Sequence, residues 1–550
     1  MSPLRLIPHG YRKGAGAVTL LILLRAVMDL VGIAALIPIL ILAADPDALS
    51  SDSFLASLYR YSGLADHHRF IVALCCAVLA LVLLKGLVNI AISQYTSGYI
   101  LSLYRFYSRR MFENYHDRGL LFLKSRNSAK LAYEINYVCM NFVQGVLTPI
   151  AAMICDAVML ALMFAALVLY DYKVALLLAA LFVPVALVYI YIVRGKIQNY
   201  GQRENEIRRT QNRLVMEAFK GYAEIEINDG FRLFSDRFAG GLGQIASLRQ
   251  RYMLVRQIPS LLIEVCIVAV LSAMVIMQTD AVLLGVFAVA AIKVLPSVKN
   301  LITGYITIKN NRYCARIIER SADAPVHGAQ EPITFDREIA VEGVSFAFPD
   351  DERTVLSDLN MTVRKGECLG INGVSGGGKT TLFNLLLGFY PPQKGRILVD
   401  GVELSDANVR SWRALVGYVP QEVFITDSTV ARNVALGEAE PDAEKVIRAL
   451  DAARLSEFVA SLPDGIDTPI GECGARLSGG QKQRIGIARA LYKGARILFF
   501  DEATSSLDSR TESDVNDSIR ALLQADGALT VIMIAHRESS LAVCDRVVTI

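Results

Sequence analysis

The sequence predicts two domains of different class in one chain: a bundle of six membrane-spanning α-helices, then an α/β domain built on a P-loop. Three observations carry that expectation. Apolar runs long enough to cross a bilayer fill the chain up to about residue 310 and are missing after it. Residues Gly373 to Thr380 read GVSGGGKT, the pattern G-x-x-x-x-G-K-[ST], with a strand-like run before it and a helix-like run after it. Farther on, the apolar run Ile497 to Phe500 stops at Asp501-Glu502, as a buried strand that delivers two carboxylates to a loop does.

Composition agrees with two domains. At 550 residues the chain exceeds what one ordinary core holds. Its 53% hydrophobic content and mean hydropathy of +0.40 exceed the soluble norm. A net charge of +3 is too small to point to nucleic acid. The nine cysteines (75, 76, 139, 155, 266, 314, 368, 473 and 544) form no C-x-x-C pair and show no metal spacing. None falls in a segment placed outside the cell, which argues against a disulfide framework. Cys473 reads as a packing residue. Arg5, Arg12 and Lys13 precede an apolar run from about Ala15 to Ala43 that contains Asp29. That run is too long for a cleaved leader and reads as the first membrane helix.

A spanning helix needs roughly 20 mostly apolar residues. Six runs qualify, at about 16–43, 70–97, 142–170, 174–194, 257–278 and 281–303. The third and fourth runs, and the fifth and sixth, are joined by very short connections. Those between the second and third (about 98–141) and the fourth and fifth (about 194–256) are long. The long loops hold the basic residues, among them Arg105, Arg109 and Arg110 in one and Arg203, Arg208, Arg209 and Arg213 in the other. The opposite side has Arg60, Arg69 and Lys173 against Asp45, Asp47, Asp52, Asp66, Asp171 and Asp280. By the positive-inside rule the N-terminus, both long loops and the C-terminal domain are cytoplasmic. The stretch QNRLVMEAFKGYAEIEI has apolar residues at helical spacing, so the loops read as helical extensions.

Ionisable residues inside a membrane cost roughly 2.5 to 3.5 kcal/mol each on insertion scales, and each wants a partner or a water-filled cavity. Arg25 and Asp29, spaced i, i+4, are expected to pair on one helix face. Lys85, Asp156, Glu264 and Lys293 have no local partner, so they pair between helices or line a path. Lys293, Lys299, Lys309, Arg312 and Arg316 follow the sixth run and its extension. Facing inward they would favour an anionic substrate, although the last three read as a solvated helix end.

A second glycine-rich motif, LSGGQ, occupies Leu477 to Gln481, between the P-loop and Asp501-Glu502. It supplies a surface that one nucleotide cannot reach from its own P-loop. The P-loop, LSGGQ, ILFF-Asp501-Glu502 and His536, in that order and spacing, resemble the ATP-binding cassette (ABC) family. Six helices with two long cytoplasmic loops resemble its exporter-type transmembrane domain. The resemblance divides the chain into a transmembrane domain (1–320), a linker (321–338) and a nucleotide-binding α/β P-loop ATPase domain with a helical signature subdomain (339–550). It implies a short transverse helix at each loop tip, near Ser125 to Leu131 and near Ala223 to Arg232. Asp29, Gly32 and Pro38 resemble a pattern of bacterial exporters that flip lipid-linked oligosaccharides. The chain ends at Ile550, in DRVVTI, where the family commonly continues with another turn and helices. Either the cassette is short or the sequence is incomplete.

The residue types suit the chemistry. Gly373, Ser375, Gly376, Gly377, Gly378, Lys379, Thr380 and Thr381 form the P-loop, whose N–H groups at a helix N-terminus wrap phosphates. Lys379 reaches the β and γ phosphates, and Thr380 ligates Mg²⁺. By resemblance, Asp501 holds Mg²⁺, Glu502 is the general base, and Gln421 in YVPQ touches Mg²⁺ or water. His536 is the switch histidine near the γ-phosphate, and Asp508 in SSLD faces the other subunit. Phe348 stands where the family has an adenine-stacking tyrosine, and it keeps the π-face. Ser478, Gly479, Gly480 and Gln481 face the γ-phosphate of an ATP held by a partner.

With one membrane domain and one cassette, the chain resembles a half-transporter. The resemblance implies ATP hydrolysis coupled to export or flipping across the cytoplasmic membrane by alternating access in a dimer. Its partner is a second copy or a related half-transporter, with membrane lipids around it. A lipid-linked oligosaccharide or another amphipathic anion is the first substrate class, and a peptide, drug or lipid the second. The rival classes are a membrane-anchored ABC ATPase without a transport role, against which the two long cytoplasmic loops argue, and a nucleotide-gated channel, which ranks last.

Overall fold

The structure, a computed structural model, describes residues 7–44, 54–62, 67–170, 172–276, 281–321, 330–349, 353–374, 376–471, 474–502, 509–525, 527–535 and 537–550. The chain divides into two compact units: Met1–Arg118 with Phe122–Ala324, and Gly119–Leu121 with Pro325–Ile550.

The first unit is helical. Its long helices are Arg12–Ala34, His67–Asp117, Thr148–Tyr170, Tyr172–Lys220, Phe231–Ile276 and Ala281–Asn310. Leu20, Leu83, Leu87, Leu187 and Val268 are each more than half exposed, so apolar side chains point away from the bundle. That inverts the soluble pattern and suits a lipid surround. Four described helices are long and apolar enough to cross a membrane, by length and composition: His9–Ile39, His67–Asp117, Ser128–Leu169 and Phe231–Ile276. The expected fourth and sixth spans lie on the Tyr172–Lys220 and Ala281–Asn310 helices, whose side chains are described only in part.

Both long connections are helical. The His67–Asp117, Tyr172–Lys220 and Phe231–Ile276 helices run 51, 49 and 46 residues, past any bilayer thickness. At the second tip a short helix, Tyr222–Ile227, lies at the expected place. At the first, Gly119–Lys124 precedes the expected stretch. A further short helix, Ser128–Tyr133, starts there because the Asn127 side chain accepts from the N–H groups of Ala129 and Lys130. Glu134–Val138 and Val143–Leu147 are π-helical turns that no periodicity announced. In the first of them, buried Glu134 accepts from Tyr115 Oη at 2.6 Å and Arg209 Nη2 at 2.9 Å, tying three helices together.

The second unit has two sheets. An antiparallel sheet takes the order β2-β1-β4-β5, with β1 Glu338–Ala347, β2 Thr354–Arg364, β4 Lys394–Val399 and β5 Val402–Glu403. A parallel sheet takes the order β6-β7-β8-β3-β9, with β3 Cys368–Asn372, β6 Val416–Val419, β7 Ile497–Asp501, β8 Thr530–Ile534 and β9 Arg546–Thr549. β7 and β8 are buried along their whole length because both faces are covered, which is why they read as unbroken apolar runs. One face carries Phe383, Phe499, Trp412 and Ile532. The other carries Phe500, Val531, Ile485 and Tyr492. Strands β3, β6 and β7 all open, at their C-terminal ends, toward one edge of the sheet. In an open α/β sheet, ligands bind at such an edge.

Candidate functional site

β3 feeds the P-loop, and the Lys379–Leu386 helix leaves it. Gly378 caps that helix at φ 92°, ψ 5°, a left-handed conformation that favours glycine. A β-carbon there would also lie 2.9 Å from Leu356 Cδ2, so the turn closes only on glycine. Lys379 is buried, and its Nζ donates to the carbonyls of Gly373 at 2.9 Å and Val374 at 3.0 Å. The ammonium is thereby folded into the mouth of the loop. Thr381 is buried, whereas Thr380 is exposed with its hydroxyl 3.4 Å from Asp501 Oδ1. Ser375 lies outside the described residues, as do Asp508, His536 and Cys473.

The end of β7 supplies the carboxylates. Asp501 is 5% exposed. Its Oδ2 accepts from Tyr418 Oη at 3.3 Å, a contact that sequence reading missed. Burial and the Asp501 carboxylate push the Tyr418 phenol above its ordinary range, so it stays a donor. Tyr418 sits on β6 beside β7, three residues before Gln421, and only the sheet order brings it to Asp501. Glu502 has φ 50°, strained for a residue with a β-carbon, and is held by its N–H on Ile534 O at 3.0 Å. Its Oε2 accepts from Gln421 Nε2 at 3.2 Å. Thr380 thus meets Asp501, and Gln421 meets Glu502, the next residue along the chain.

That donor set is all oxygen, with one carboxylate nearest the Thr380 hydroxyl. It fits Mg²⁺, which binds through one or two carboxylates plus phosphates.

Phe348 stands edge-on to Tyr390, ring centroids 6.0 Å apart, in an aromatic group with Phe346. The Leu477–Gln481 motif opens the Gly479–Lys493 helix. Ser478 Oγ accepts from Gln481 N at 3.2 Å and Gln481 Oε1 accepts from Ser478 N at 2.8 Å, a closed capping box. Ser478 and Gly479 are exposed at that helix N-terminus, and Gly480 is buried. The side-chain oxygen of Gln481 is therefore engaged in holding the turn.

The membrane unit has its own polar seam. Asp29 pairs with Lys85 at 2.9 Å and accepts from Asn89 Nδ2 at 3.1 Å, both on the His67–Asp117 helix. Lys85 thus finds between helices the partner it lacks locally. The local Arg25–Asp29 pair expected from i, i+4 spacing gives way to it. Arg25 Nε is buried with no hydrogen-bond partner among the described residues. Arg25 and Thr96 line a cavity of about 110 Å³. Asp156 bonds Ser297 and Asn300 on the Ala281–Asn310 helix. Glu264 is exposed, and the Lys293 side chain lies outside the described residues.

Residues 356–505 match the family described as ABC transporter. The chain is 30% identical over 497 residues to an ATP-dependent lipid A-core flippase of Burkholderia orbicola (strain AU 1054), covering 86% of this chain and 81% of that one. It is 32% identical over 482 residues to the protein of the same name from Cupriavidus pinatubonensis (strain JMP 134 / LMG 1197), covering 84% and 80%. A solved structure of a bacterial Atm1-family ABC exporter with ATP bound superposes with a TM-score of 0.82, at 24% identity, over 98% of this chain and 93% of that one. The fold and the P-loop site define an ATPase of the cassette class fused to a helical membrane domain. The chain belongs to the ABC transporter family, as an exporter-type half-transporter that couples ATP hydrolysis to export or flipping.

Proposed function

We propose that two copies of this chain, or one copy and a related half-transporter, flip an amphipathic anion across the cytoplasmic membrane by alternating access. The transmembrane domain is residues 1–320 with six crossings, 321–338 is the linker, and 339–550 is the cassette, on the cytoplasmic side. The observation that carries the reading is the exposed Ser478-Gly479 turn at the start of a 15-residue helix, a phosphate-seeking surface in a chain whose P-loop opens its own helix. Two such surfaces are used fully only when a second cassette brings its nucleotide.

ATP sits with its phosphates on residues 373–381 and its adenine against Phe348. Mg²⁺ would be held by Thr380, Asp501 and Gln421. Glu502 takes the proton of the attacking water, and His536 and Asp508 complete the site with Lys379. The nucleotide would supply the γ-phosphoryl group that passes to water and the ADP that leaves, and the metal would neutralise phosphate charge.

The substrate reading follows from the seam and the relatives. Arg25 places a cationic group at a cavity inside the membrane unit, and the relatives named above are lipid A-core flippases. A phosphorylated glycolipid or lipid-linked oligosaccharide fits both. A peptide or hydrophobic drug needs no such cation, and a merely anchored ATPase needs no polar seam. The test is flipping of fluorescent lipid-linked glycan by the full chain in liposomes. ATP-dependent flipping that Glu502→Gln abolishes supports the proposal. ATP hydrolysis with no movement of any lipid, peptide or drug refutes it.

A further inference from the structure

Gln483 is 4% exposed and sits on the Gly479–Lys493 helix, one turn beyond the Ser478-Gly479-Gly480 turn. Its amide nitrogen donates to two backbone carbonyls, Gln421 at 2.6 Å and Pro420 at 3.3 Å. Both partners only accept, so they fix which end of the amide is nitrogen. The other end, Oε1, is buried without a hydrogen-bond partner among the described residues. One turn later the helix presses on the same segment. A β-carbon on Gly486 would lie 3.0 Å from Val423 Cγ2 and 3.2 Å from Val419 Cγ1. From the segment so held, the Gln421 side chain reaches Glu502 at 3.2 Å.

We propose that Gln483 is a positioning residue that ties Gln421, at this cassette's own nucleotide, to the turn that meets the partner's nucleotide. The inference rests on the reading of Gln421 and Glu502 as site residues. The helix that begins at Ser478 moves as one rigid piece, and Gln483 holds the backbone of Gln421 to that piece. Seating a nucleotide on the turn of one cassette therefore shifts Gln421 against Glu502 in the same cassette. The two ATP sites of a dimer communicate through this amide.

The chemistry dictates the variants. Gln483→Met keeps the volume and donates nothing. Gln483→Glu sets a carboxylate against two carbonyl oxygens and repels them. ATPase activity of the full chain in lipid nanodiscs, measured against ATP concentration, reads the outcome. Gln483→Met is expected to lower kcat about fivefold to tenfold with KM for ATP changed less than about twofold, and to bring the Hill coefficient toward one. Gln483→Glu falls further, and in a Gln421→Ala background Gln483→Met adds nothing. The proposal is overturned if Gln483→Met leaves kcat and cooperativity intact. It is equally overturned if the loss adds in full to that of Gln421→Ala, or if it only tracks a fall in Tm. Unchanged turnover in Gln421→Ala alone would remove the site reading itself, and the inference with it.

Discussion

Gln421 donates its side-chain amide to the Glu502 carboxylate across 3.2 Å, joining the end of β6 to the end of β7. Glu502 already carries a strained backbone at φ 50°, so its side chain is aimed by both the main chain and a neighbour. As the proposed general base, Glu502 has its geometry set before the attacking water arrives. Glu502→Gln is expected to lower ATP turnover by about 10²- to 10⁴-fold while nucleotide binding persists. Single-turnover hydrolysis beside equilibrium binding of a fluorescent ATP analogue checks this. Parallel loss of both would assign Glu502 to binding instead.

Tyr418 and Asp501 make a second testable pair. The phenol holds one carboxylate oxygen at 3.3 Å and leaves Oδ1 turned to Thr380. Tyr418→Phe removes one hydrogen bond to a charged group, a loss of about 1.5 to 3 kcal/mol in orientation. The expected outcome is a higher Mg²⁺ concentration for half-maximal ATPase activity, with the metal-saturated rate nearly kept. Titration with Mg²⁺ at fixed ATP measures it.

Within the membrane unit, Lys85 and Asp29 are 14% and 12% exposed in their side chains and stand 2.9 Å apart. Removing one partner takes the counter-ion from a largely buried charge, which costs about 3 to 5 kcal/mol. Asp29→Asn and Lys85→Met should each lower Tm in detergent. The exchanged pair, Asp29→Lys with Lys85→Asp, should recover part of the loss. Equal destabilisation by the singles and the exchange would show that the pair contributes nothing.

Asp400 offers a pH test. Burial alone raises its pKa, but backbone N–H groups of Asp336, Glu338 and Arg337 outweigh that and hold the carboxylate below its ordinary value. Those bonds measure 2.5, 2.9 and 2.8 Å. A folded-state pKa below the unfolded one contributes stability that is complete above the ordinary aspartate pKa of about 3.9 and is lost as pH falls through the depressed value. Asp400→Asn should therefore flatten the fall of Tm with acidification below about pH 4. A variant curve parallel to the parent would deny Asp400 that role.

What could be read from the sequence is what a local stretch specifies. GVSGGGKT needs only its own glycines and the strand and helix on either side, and Gly378 indeed caps that helix at φ 92°. The apolar runs needed only length. Contacts made by sheet order or helix packing left no local trace: Tyr418 on Asp501, Gln483 on Gln421 and Lys85 on Asp29 are 83, 62 and 56 residues apart (501 − 418, 483 − 421, 85 − 29). Arg25 and Asp29 show the hazard in reverse. Their i, i+4 spacing permits a pair, but Lys85 and Asn89 offered Asp29 better geometry from the next helix. The π-turns at Glu134–Val138 and Val143–Leu147 were equally invisible, since the sequence around them shows no break in helical spacing.

Coupling of two cassettes through nucleotide is most directly read by crosslinking. Gly376 and Ser478 are exposed on the P-loop and on the signature turn. Cysteines placed at both positions in the Glu502→Gln chain should join two copies through a short bis-maleimide when Mg²⁺ and ATP are present, and not without them. If both cysteines react with a monofunctional maleimide yet ATP yields no joined pair, the head-to-tail arrangement is contradicted.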